Sequence, residues 1–415
     1  MKKRIVIGVI ALLLVVGLVL PMVMAQAAAL DASLTVNYTA ESGSVSGLTV
    51  RVTGSSYDQT KYGVNGSTNF TGLTSGNSYN VASSKGTSSR PADGTGALVA
   101  GVNTFGVLCS DLVVNLKTGS ANNVSGVTVE VTGVETKYGV TGSCTFYLLD
   151  GTYTVKSSKG TSSLTNAGVG VGAAATTLNV ACSDLQVNLK TGSANNVSGV
   201  TVEVTGVETK YGVTGTCTFY LLDGSYTVKS SKGTSLQTNT AVGVGATDPT
   251  ILNVACSDLI VNLWANNLST WPMSGVTVEV TGVETKYGVT GSCTFYLLDG
   301  TYTVKSSKGT SSRTDPGVVV GVATTTKNVP VARFLVKVLK ADFTGQTGVT
   351  VEVTGVETKY GVNTDAYFSL LASSPLGGTG AGQYTFKAQK GATIAQTIAL
   401  ADQPPALAGV IFMIP

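Results

Sequence analysis

One heptapeptide containing a lysine and a tyrosine recurs along this chain of 415 residues. VETKYGV stands at residues 134–140, 207–213, 283–289 and 356–362, and the shorter TKYGV stands at residues 60–64. A cation beside an aromatic ring can contact a ligand, and several linked copies would make that contact multivalent. The same residues could instead form a structural turn, in which the glycine takes a positive φ and the tyrosine covers the end of its domain, bonding the backbone through its hydroxyl.

Two sets of side chains are therefore candidates for binding a ligand. The first is the repeated pair: Lys137 and Tyr138, Lys210 and Tyr211, Lys286 and Tyr287, and Lys359 and Tyr360. The second consists of the two tryptophans, Trp264 and Trp271, which lie in one loop sequence, LWANNLSTWPMSG. Exposed aromatic rings on a loop can stack on sugars or anchor a partner protein. The alternative for both tryptophans is that they cover the end of their own domain.

The six cysteines form three pairs separated by 35, 35 and 37 residues: Cys109 and Cys144, Cys182 and Cys217, and Cys256 and Cys293. Bonds could form within a pair or between successive repeats. The outer repeats lack both cysteines together, which favours bonds within a pair. We therefore predict disulfides 109–144, 182–217 and 256–293, each worth about 3–4 kcal/mol for a loop of this length. The chain has no histidine and no CxxC motif, so we predict no metal site.

These motifs belong to tandem repeats. The predicted domains, called repeats 1 to 5, are residues 30–108, 109–181, 182–255, 256–331 and 332–415. In repeat 2, GVTVEVT at 126–132 alternates apolar and polar residues, the pattern of a half-buried antiparallel strand. The Asp-Gly pair in LLDGTY predicts a hairpin between the stretches at 143–149 and 151–158. Short alternating strands predict an all-β chain of five tandem Ig-like or prealbumin-like β-sandwich domains after an N-terminal signal segment.

The repeat resembles the carboxypeptidase-regulatory-like, Cna B-type repeats of surface proteins. The resemblance rests on DLVVNLKTGSANNVSGVTVEVTG followed by GVTGSCTFYLLDGTYTVKSSKG, and it recurs once per repeat, more weakly in repeats 1 and 5. It implies a prealbumin-like sandwich of about seven strands. It also implies use as a spacer or stalk in secreted and cell-surface proteins.

The N-terminal sequence MKKRIVIGVIALLLVVGLVLPMVMAQAAA has basic residues, an apolar run and small residues suited to cleavage. It predicts a signal peptide at residues 1–29, or a membrane anchor if uncleaved, and hence a secreted or cell-surface protein. Losing its three basic residues would cancel the net charge of +3, so nucleic acid is not an expected partner. Six sequons are candidate glycosylation sites: Asn37, Asn65, Asn69, Asn123, Asn196 and Asn267.

The residue inventory disfavours enzyme chemistry. Without histidine the usual Ser-His and metal-His arrangements are excluded, and the recurrent acids Glu130 and Glu135 are ascribed to structure. We predict a non-enzymatic protein without cofactors. Because the repeats abut without Gly/Ser-rich or Pro-rich linkers, they are expected to form a stiff rod of about 125 Å.

The main functional prediction is an extracellular structural or adhesive stalk. One alternative is a filament subunit assembled by donation of the N-terminal strand ALDASLTV, and another is a multivalent glycan-binding protein. Expected partners are other cell-surface proteins or further copies of the chain, and glycans in the last case. A membrane is expected to be contacted only through an uncleaved N-terminal segment.

Overall fold

The computed structural model of the chain is all-β, with 35 strands and no helix among its described residues. The structure describes residues 31–54, 56–172, 174–245, 247–264, 271–321, 323–372, 383–400 and 408–414. The predicted signal peptide or anchor at 1–29 lies outside these ranges. Across the described residues no helix has the length and apolar character needed to span a bilayer.

Each repeat contains seven strands, as the family resemblance implied. Repeat 1 has β1 to β7, at Ala32–Asn37, Leu48–Gly54, Tyr57–Val64, Ser67–Leu73, Ser78–Lys85, Ser88–Ala97 and Gly101–Gly106. Repeat 2 has β8 to β14, at Cys109–Asn115, Val127–Val131, Glu135–Val140, Ser143–Leu149, Gly151–Lys159, Ser162–Val171 and Thr176–Asn179. Repeat 3 has β15 to β21, at Cys182–Asn188, Val200–Val204, Glu208–Val213, Thr216–Leu222, Gly224–Lys232, Ser235–Val244 and Thr250–Asn253. Repeat 4 has β22 to β28, at Cys256–Asn262, Val276–Val280, Glu284–Val289, Ser292–Leu298, Gly300–Lys308, Ser311–Val320 and Thr325–Asn328. Repeat 5 has β29 to β35, at Val331–Leu339, Val349–Val353, Glu357–Val362, Asp365–Leu371, Gln383–Lys390, Thr393–Leu400 and Ala408–Met413.

Every repeat is a sandwich of two sheets. The fourth, first and seventh strands form one sheet in that order, and the third, second, fifth and sixth strands form the other. The seventh strand runs parallel to the first, as β14 does to β8. Alternation decides which face is buried: Val127, Val129 and Val131 of β9 are fully buried, whereas Thr128 and Glu130 are half-buried on the opposite face. The predicted all-β sandwich class is confirmed.

The hairpin predicted at the Asp-Gly pair is wrong, because β11 and β12 belong to different sheets. The chain crosses between the sheets at Asp150, whose carboxylate accepts a hydrogen bond of 2.8 Å from the Ser110 hydroxyl. The hairpin of this repeat joins β12 to β13 instead, and its turn contains Gly160 at φ +59°. Asp-Gly favours a tight corner, but it does not determine whether the next strand pairs with the last one.

The chain divides into two compact units: Met1–Ser183 with Tyr220–Asp223, and Asp184–Phe219 with Gly224–Pro415. In the first unit, repeats 1 and 2 have separate cores, centred on the fully buried Phe70 and Phe146. In the second unit, repeats 4 and 5 likewise have separate cores, around Phe295 and Phe368. Each of these four sandwiches has its own core, but the cores of repeats 1 and 4 also include one leucine of the next repeat, Leu149 and Leu371.

The cores of repeats 2 to 4 each contain a buried serine whose hydroxyl has no hydrogen-bond partner: Ser157, Ser230 and Ser306. In repeat 1 the equivalent Ser83 hydroxyl lies 2.7 Å from that of Tyr38. Repeat 4 has Leu263 at the tyrosine position, which leaves Ser306 without this partner. Repeat 5 has the fully buried Ala388 in place of the serine.

We expect Ser306→Ala to stabilise repeat 4 by about 1 kcal/mol, because the variant buries no unsatisfied hydroxyl. Ser83→Ala should instead destabilise repeat 1 by about 1–2 kcal/mol, because it leaves the buried Tyr38 hydroxyl without a hydrogen-bond partner. Hydrogen exchange of peptides from the two repeats measures both effects in the full chain. Stabilisation, or no change, in both variants would contradict this assignment.

Candidate functional site

The repeated heptapeptide forms an edge strand and not the predicted turn. In repeat 2 it is β10, at the edge of the four-stranded sheet. Lys137 lies opposite Val129 and Val140 lies opposite Val127, so the strand has one extra residue between them, a β-bulge. Gly139 sits in the bulge at φ +63°, which confirms the positive φ predicted for it.

The lysine of the heptapeptide contacts its own repeat. Lys137 Nζ donates a hydrogen bond of 2.5 Å to the carbonyl of Thr145 and lies 5.0 Å from the centre of the Phe146 ring. The other repeats have the same cation–ring contact: Lys61 with Phe70, Lys210 with Phe219, Lys286 with Phe295, and Lys359 with Phe368. The lysine thus covers a core phenylalanine at the edge of the sandwich.

The tyrosine of the heptapeptide points into solvent. Tyr138 is 80% exposed, so its ring does not cover the end of the sandwich as the structural interpretation expected. The same holds in every repeat, with exposures of 78–80%: Tyr62, Tyr211, Tyr287 and Tyr360. Of the two candidate ligand contacts in each repeat, the tyrosine is accessible to a ligand, whereas the lysine already contacts its own repeat.

The glutamate of the heptapeptide joins successive repeats. Glu135 Oε2 accepts a hydrogen bond of 2.6 Å from Lys85 Nζ of repeat 1, and the same Nζ lies 3.4 Å from the carbonyl oxygen of Tyr147. The Lys85 side chain is only 9% exposed, so these oxygens replace the water that its ammonium loses. The second unit repeats this ion pair twice: Lys232–Glu284 at 3.2 Å and Lys308–Glu357 at 2.5 Å.

Glycines bring the backbones of two repeats together beside this ion pair. The turn after Lys85 contains Gly86 at φ +59°, and a Cβ there would lie 1.9 Å from the carbonyl oxygen of Gly133. Thr87 N–H donates a hydrogen bond of 2.9 Å to that oxygen. The second unit repeats this contact twice. A Cβ at Gly233 would lie 1.9 Å from the carbonyl oxygen of Gly282, and a Cβ at Gly309 would lie 1.9 Å from that of Gly355. No side chain fits at this contact.

A tyrosine completes the contact. The Tyr153 hydroxyl donates to the Leu149 carbonyl at 2.5 Å and lies 2.9 Å from the Ser88 hydroxyl of repeat 1. Burial raises the pKa of Tyr153, so this phenol stays protonated. Tyr384 bonds Ser311 of repeat 4 in the same way, at 2.7 Å. We call the ion pair, the glycine contact and this tyrosine the junction, numbered 1/2, 3/4 and 4/5 by the repeats it joins.

The two outer repeats satisfy their junction residues internally. Gln59 of repeat 1 occupies the position of Glu135, and it accepts a hydrogen bond of 2.8 Å from the Tyr57 hydroxyl of the same repeat. Lys390 of repeat 5 occupies the position of Lys85, and its Nζ donates to Gln346 of its own repeat at 2.7 Å. Each of these two residues is thus bonded within its own repeat and not to a neighbouring one.

The predicted disulfides 109–144, 182–217 and 256–293 are wrong. All six thiols are free: Cys109, Cys144, Cys182, Cys217, Cys256 and Cys293. Cys109 lies opposite Leu149, whereas Cys144 lies opposite Val114, five residues further along β8. That is about 17 Å at the rise of a strand, whereas a disulfide needs Cα atoms within about 7 Å. Repeat 4 has the same register: Cys256 opposite Leu298 and Cys293 opposite Val261.

The cysteines are packing residues. Burial, with a contribution from Asp150, raises the pKa of Cys109 to about 12, so this thiol stays protonated and unreactive. Strand register places Val331 and Ala366 of repeat 5 at the two cysteine positions, so the predicted equivalence of Ala332 with the first cysteine is wrong by one residue. Both residues are buried, so other apolar side chains fit these positions and repeat 5 can lack the cysteines without losing a bond.

Both tryptophans have structural contacts. The Arg333 guanidinium of repeat 5 lies between two rings, 4.3 Å from Trp271 and 4.1 Å from Tyr367. Trp264 packs on Gly291, where an added Cβ would lie 2.8 Å from the indole Nε1. Each tryptophan is half-buried. Trp271 therefore helps to hold repeat 4 against repeat 5. Neither tryptophan ring is as accessible to a ligand as the exposed tyrosines are.

The candidate glycosylation sites differ in exposure. Four of the asparagines are exposed: Asn65, Asn69, Asn123 and Asn196. Asn37 is half-buried in the central strand β1, and Asn267 lies outside the described residues. Among the residues that the structure describes, no group of three or more acidic, cysteine or histidine side chains could hold a metal ion.

No family model and no curated protein matches the chain. Solved structures that are similar to it include the following three. The Bacillus anthracis TIE protein is 10% identical with a TM-score of 0.17, covering 80% of this chain and 71% of that one. A streptococcal ancillary pilin is 11% identical with a TM-score of 0.19, covering 54% and 98%. The pilus adhesin SpaC from Lactobacillus rhamnosus GG is 11% identical with a TM-score of 0.19, covering 86% and 49%. Similarity at this level carries no argument about the function of this chain.

Proposed function

We propose that this chain is a non-enzymatic, secreted or cell-surface structural protein, a stalk built from tandem β-sandwich repeats. The junction is the observation that carries the proposal. At junction 1/2, the glutamate of the most repeated motif, Glu135, contacts the preceding repeat. So does Gly133, the glycine that stands directly before the motif. The N-terminal segment with the features of a secretory signal supports the extracellular location.

Two contacts favour a stalk over a filament. The strand proposed for donation, β1, is the central strand of its own sheet and pairs with β4 on one side and β7 on the other. Donating it would remove the middle of repeat 1. Gln59 and Lys390, the outermost residues at the two ion-pair positions, are bonded within their own repeats, so neither is free to pair with a second chain.

Electron microscopy of the purified full chain tests the stalk. We expect separate particles of one length, unchanged as protein concentration rises. Glu357→Lys should make the particles bend at one place, because it sets two ammonium groups against each other at junction 4/5. Exchanging the charges, with Lys308→Glu and Glu357→Lys together, should restore the original length distribution.

Two results would contradict the proposal. Fibres longer than one chain would favour a filament. An unchanged length distribution in Glu357→Lys would show that the junction does not hold neighbouring repeats in place.

A multivalent glycan-binding protein is a second candidate, because each repeat presents one tyrosine ring that is 78–80% exposed. Aromatic rings stack on the faces of sugars, and linked weak sites gain affinity together. On a glycan array, replacing Tyr138 and Tyr287 by serine should weaken any signal more than about tenfold. A signal that survives loss of all the exposed tyrosines would exclude this candidate.

A further inference from the structure

A cavity of about 320 Å³ lies between repeats 3 and 4. Repeat 3 contributes Gly192 and Ser193 to its wall, and repeat 4 contributes two carboxylates among its lining residues, Asp258 and Asp299. Asp258 is 7% exposed, and its Oδ1 is buried without a hydrogen-bond partner among the described residues. The described lining residues include no lysine or arginine. A carboxylate buried beside an unfilled space is costly unless something positive occupies that space.

The equivalent aspartate at junction 1/2 is only partly satisfied by hydrogen bonds. Asp111 Oδ1 is buried without a partner, as Asp258 Oδ1 is, but the other oxygen of Asp111, Oδ2, accepts hydrogen bonds from the N–H (3.1 Å) and the hydroxyl of Ser42. The Asp111 N–H donates to Glu41 Oε2 at 2.6 Å. In repeat 3 the Glu41–Ser42 pair is replaced by Gly192–Ser193, which removes the glutamate side chain. The cavity at junction 3/4 lies where this smaller pair meets Asp258.

The donor atoms around the cavity select a class of ligand. Carboxylate and hydroxyl oxygens are the ligands that hard divalent cations take, and Ca²⁺ accepts six to eight of them in irregular geometry. Zn²⁺ is bound mostly through thiolate and imidazole ligands; the chain has no histidine, and Cys256 is the one cysteine among the described lining residues.

We propose that this cavity binds one hard divalent cation, with Ca²⁺ as the best fit, through the carboxylates of Asp258 and Asp299. The Ser193 and Ser257 hydroxyls lie in the same wall and can add oxygen donors. The size of the cavity leaves room for the ion to keep several waters. Because residues of two repeats line the site, the ion would tie repeats 3 and 4 together. The inference does not depend on the stalk function.

Titration calorimetry of the full chain with CaCl₂ tests the site. We expect one ion per chain, with a dissociation constant on the order of 10⁻⁴–10⁻³ M because only two carboxylates contribute. Asp258→Asn keeps the shape of the side chain and should weaken binding at least about tenfold. Gly192→Leu should do the same by narrowing the cavity, because Gly192 lies in its wall and an added Cβ there has no atom within 4 Å.

Asp111→Asn is the matched control, because it changes the equivalent residue at junction 1/2 and should leave Ca²⁺ binding unchanged. Thermal unfolding gives a second readout: Ca²⁺ should raise the Tm of the parent chain and of Asp111→Asn but not that of Asp258→Asn. No binding at 10 mM CaCl₂ (roughly ten times the weaker expected dissociation constant) would overturn the proposal. Binding that Asp258→Asn leaves intact, or that Asp111→Asn weakens equally, would also overturn it.

Discussion

Gly309→Ala is expected to destabilise junction 4/5 by about 2–5 kcal/mol, through two effects. Gly309 has a φ of +55°, where any other L-residue is strained by about 1–2 kcal/mol. A Cβ at this position would also lie 1.9 Å from the Gly355 carbonyl oxygen, so the two repeats must move apart. Moving apart stretches the Thr310 N–H bond to that oxygen, now 2.8 Å, and the Lys308–Glu357 ion pair, now 2.5 Å.

Gly391→Ala is the control for this variant. Gly391 occupies the same turn of repeat 5 at the same φ of +55°, but a Cβ there has no atom within 4 Å. It should therefore cost only the backbone strain of about 1–2 kcal/mol. Hydrogen exchange of the peptides on both sides of the junction should rise in Gly309→Ala alone, since a chain of several domains does not unfold in one step. Equal effects of the two variants would show that the close contact at junction 4/5 adds nothing.

Arg313→Met is expected to cost about 2–3 kcal/mol, because it removes two charge-assisted hydrogen bonds from a buried carboxylate, which keeps only Lys327 as an ion-pair partner. Arg313 and Asp315 form a two-pronged ion pair at 2.9 and 3.0 Å, and their side chains are only 7% and 8% exposed. Lys327 Nζ lies 3.0 Å from the same carboxylate. The guanidinium also donates a bond of 3.2 Å to the Ala372 carbonyl of repeat 5, so the variant weakens junction 4/5 as well.

Arg90→Met in repeat 1 is the matched control. Arg90 stands at the equivalent position and pairs with Asp93 at 2.8 Å, but these side chains are 21% and 38% exposed. Water can replace the lost partner there, so the cost should stay below about 1 kcal/mol. Denaturant unfolding, followed by hydrogen exchange of peptides from each repeat, measures the stability loss of the two variants separately. Equal losses in repeats 1 and 4 would contradict a role for burial.

The same cluster predicts how stability depends on pH. Burial alone would raise the pKa of Asp315, but the ion pairs with Arg313 and Lys327 hold it below the ordinary value of 3.8. A carboxyl group whose pKa is lowered by folding stabilises the protein fully above its unfolded pKa, and this stabilisation is lost as the pH falls through the folded pKa. Repeat 4 of Arg313→Met should therefore lose less stability between pH 5 and pH 2 than repeat 4 of the parent chain.

Local patterns predicted the repeat unit but not the way in which its strands pair. Alternation in GVTVEVT identified β9 and its buried face correctly, because period-two burial depends only on neighbours in sequence. The glycine of the heptapeptide is compatible with a turn, but a bulge in an edge strand accommodates its positive φ equally well. The Asp-Gly pair is compatible with a hairpin, but its flanking strands belong to different sheets.

The sequence alone determined that this chain is a tandem array of small β-sandwiches, since repetition and alternation are properties of the order of residues. Only the tertiary structure decided what the repeated residues do. Strand register sets Cys109 and Cys144 at opposite ends of one strand pair, and it sets Glu135 against a lysine 50 residues earlier. Both results depend on which strands pair and on where one repeat ends against the next. No pattern within a single repeat contains that information.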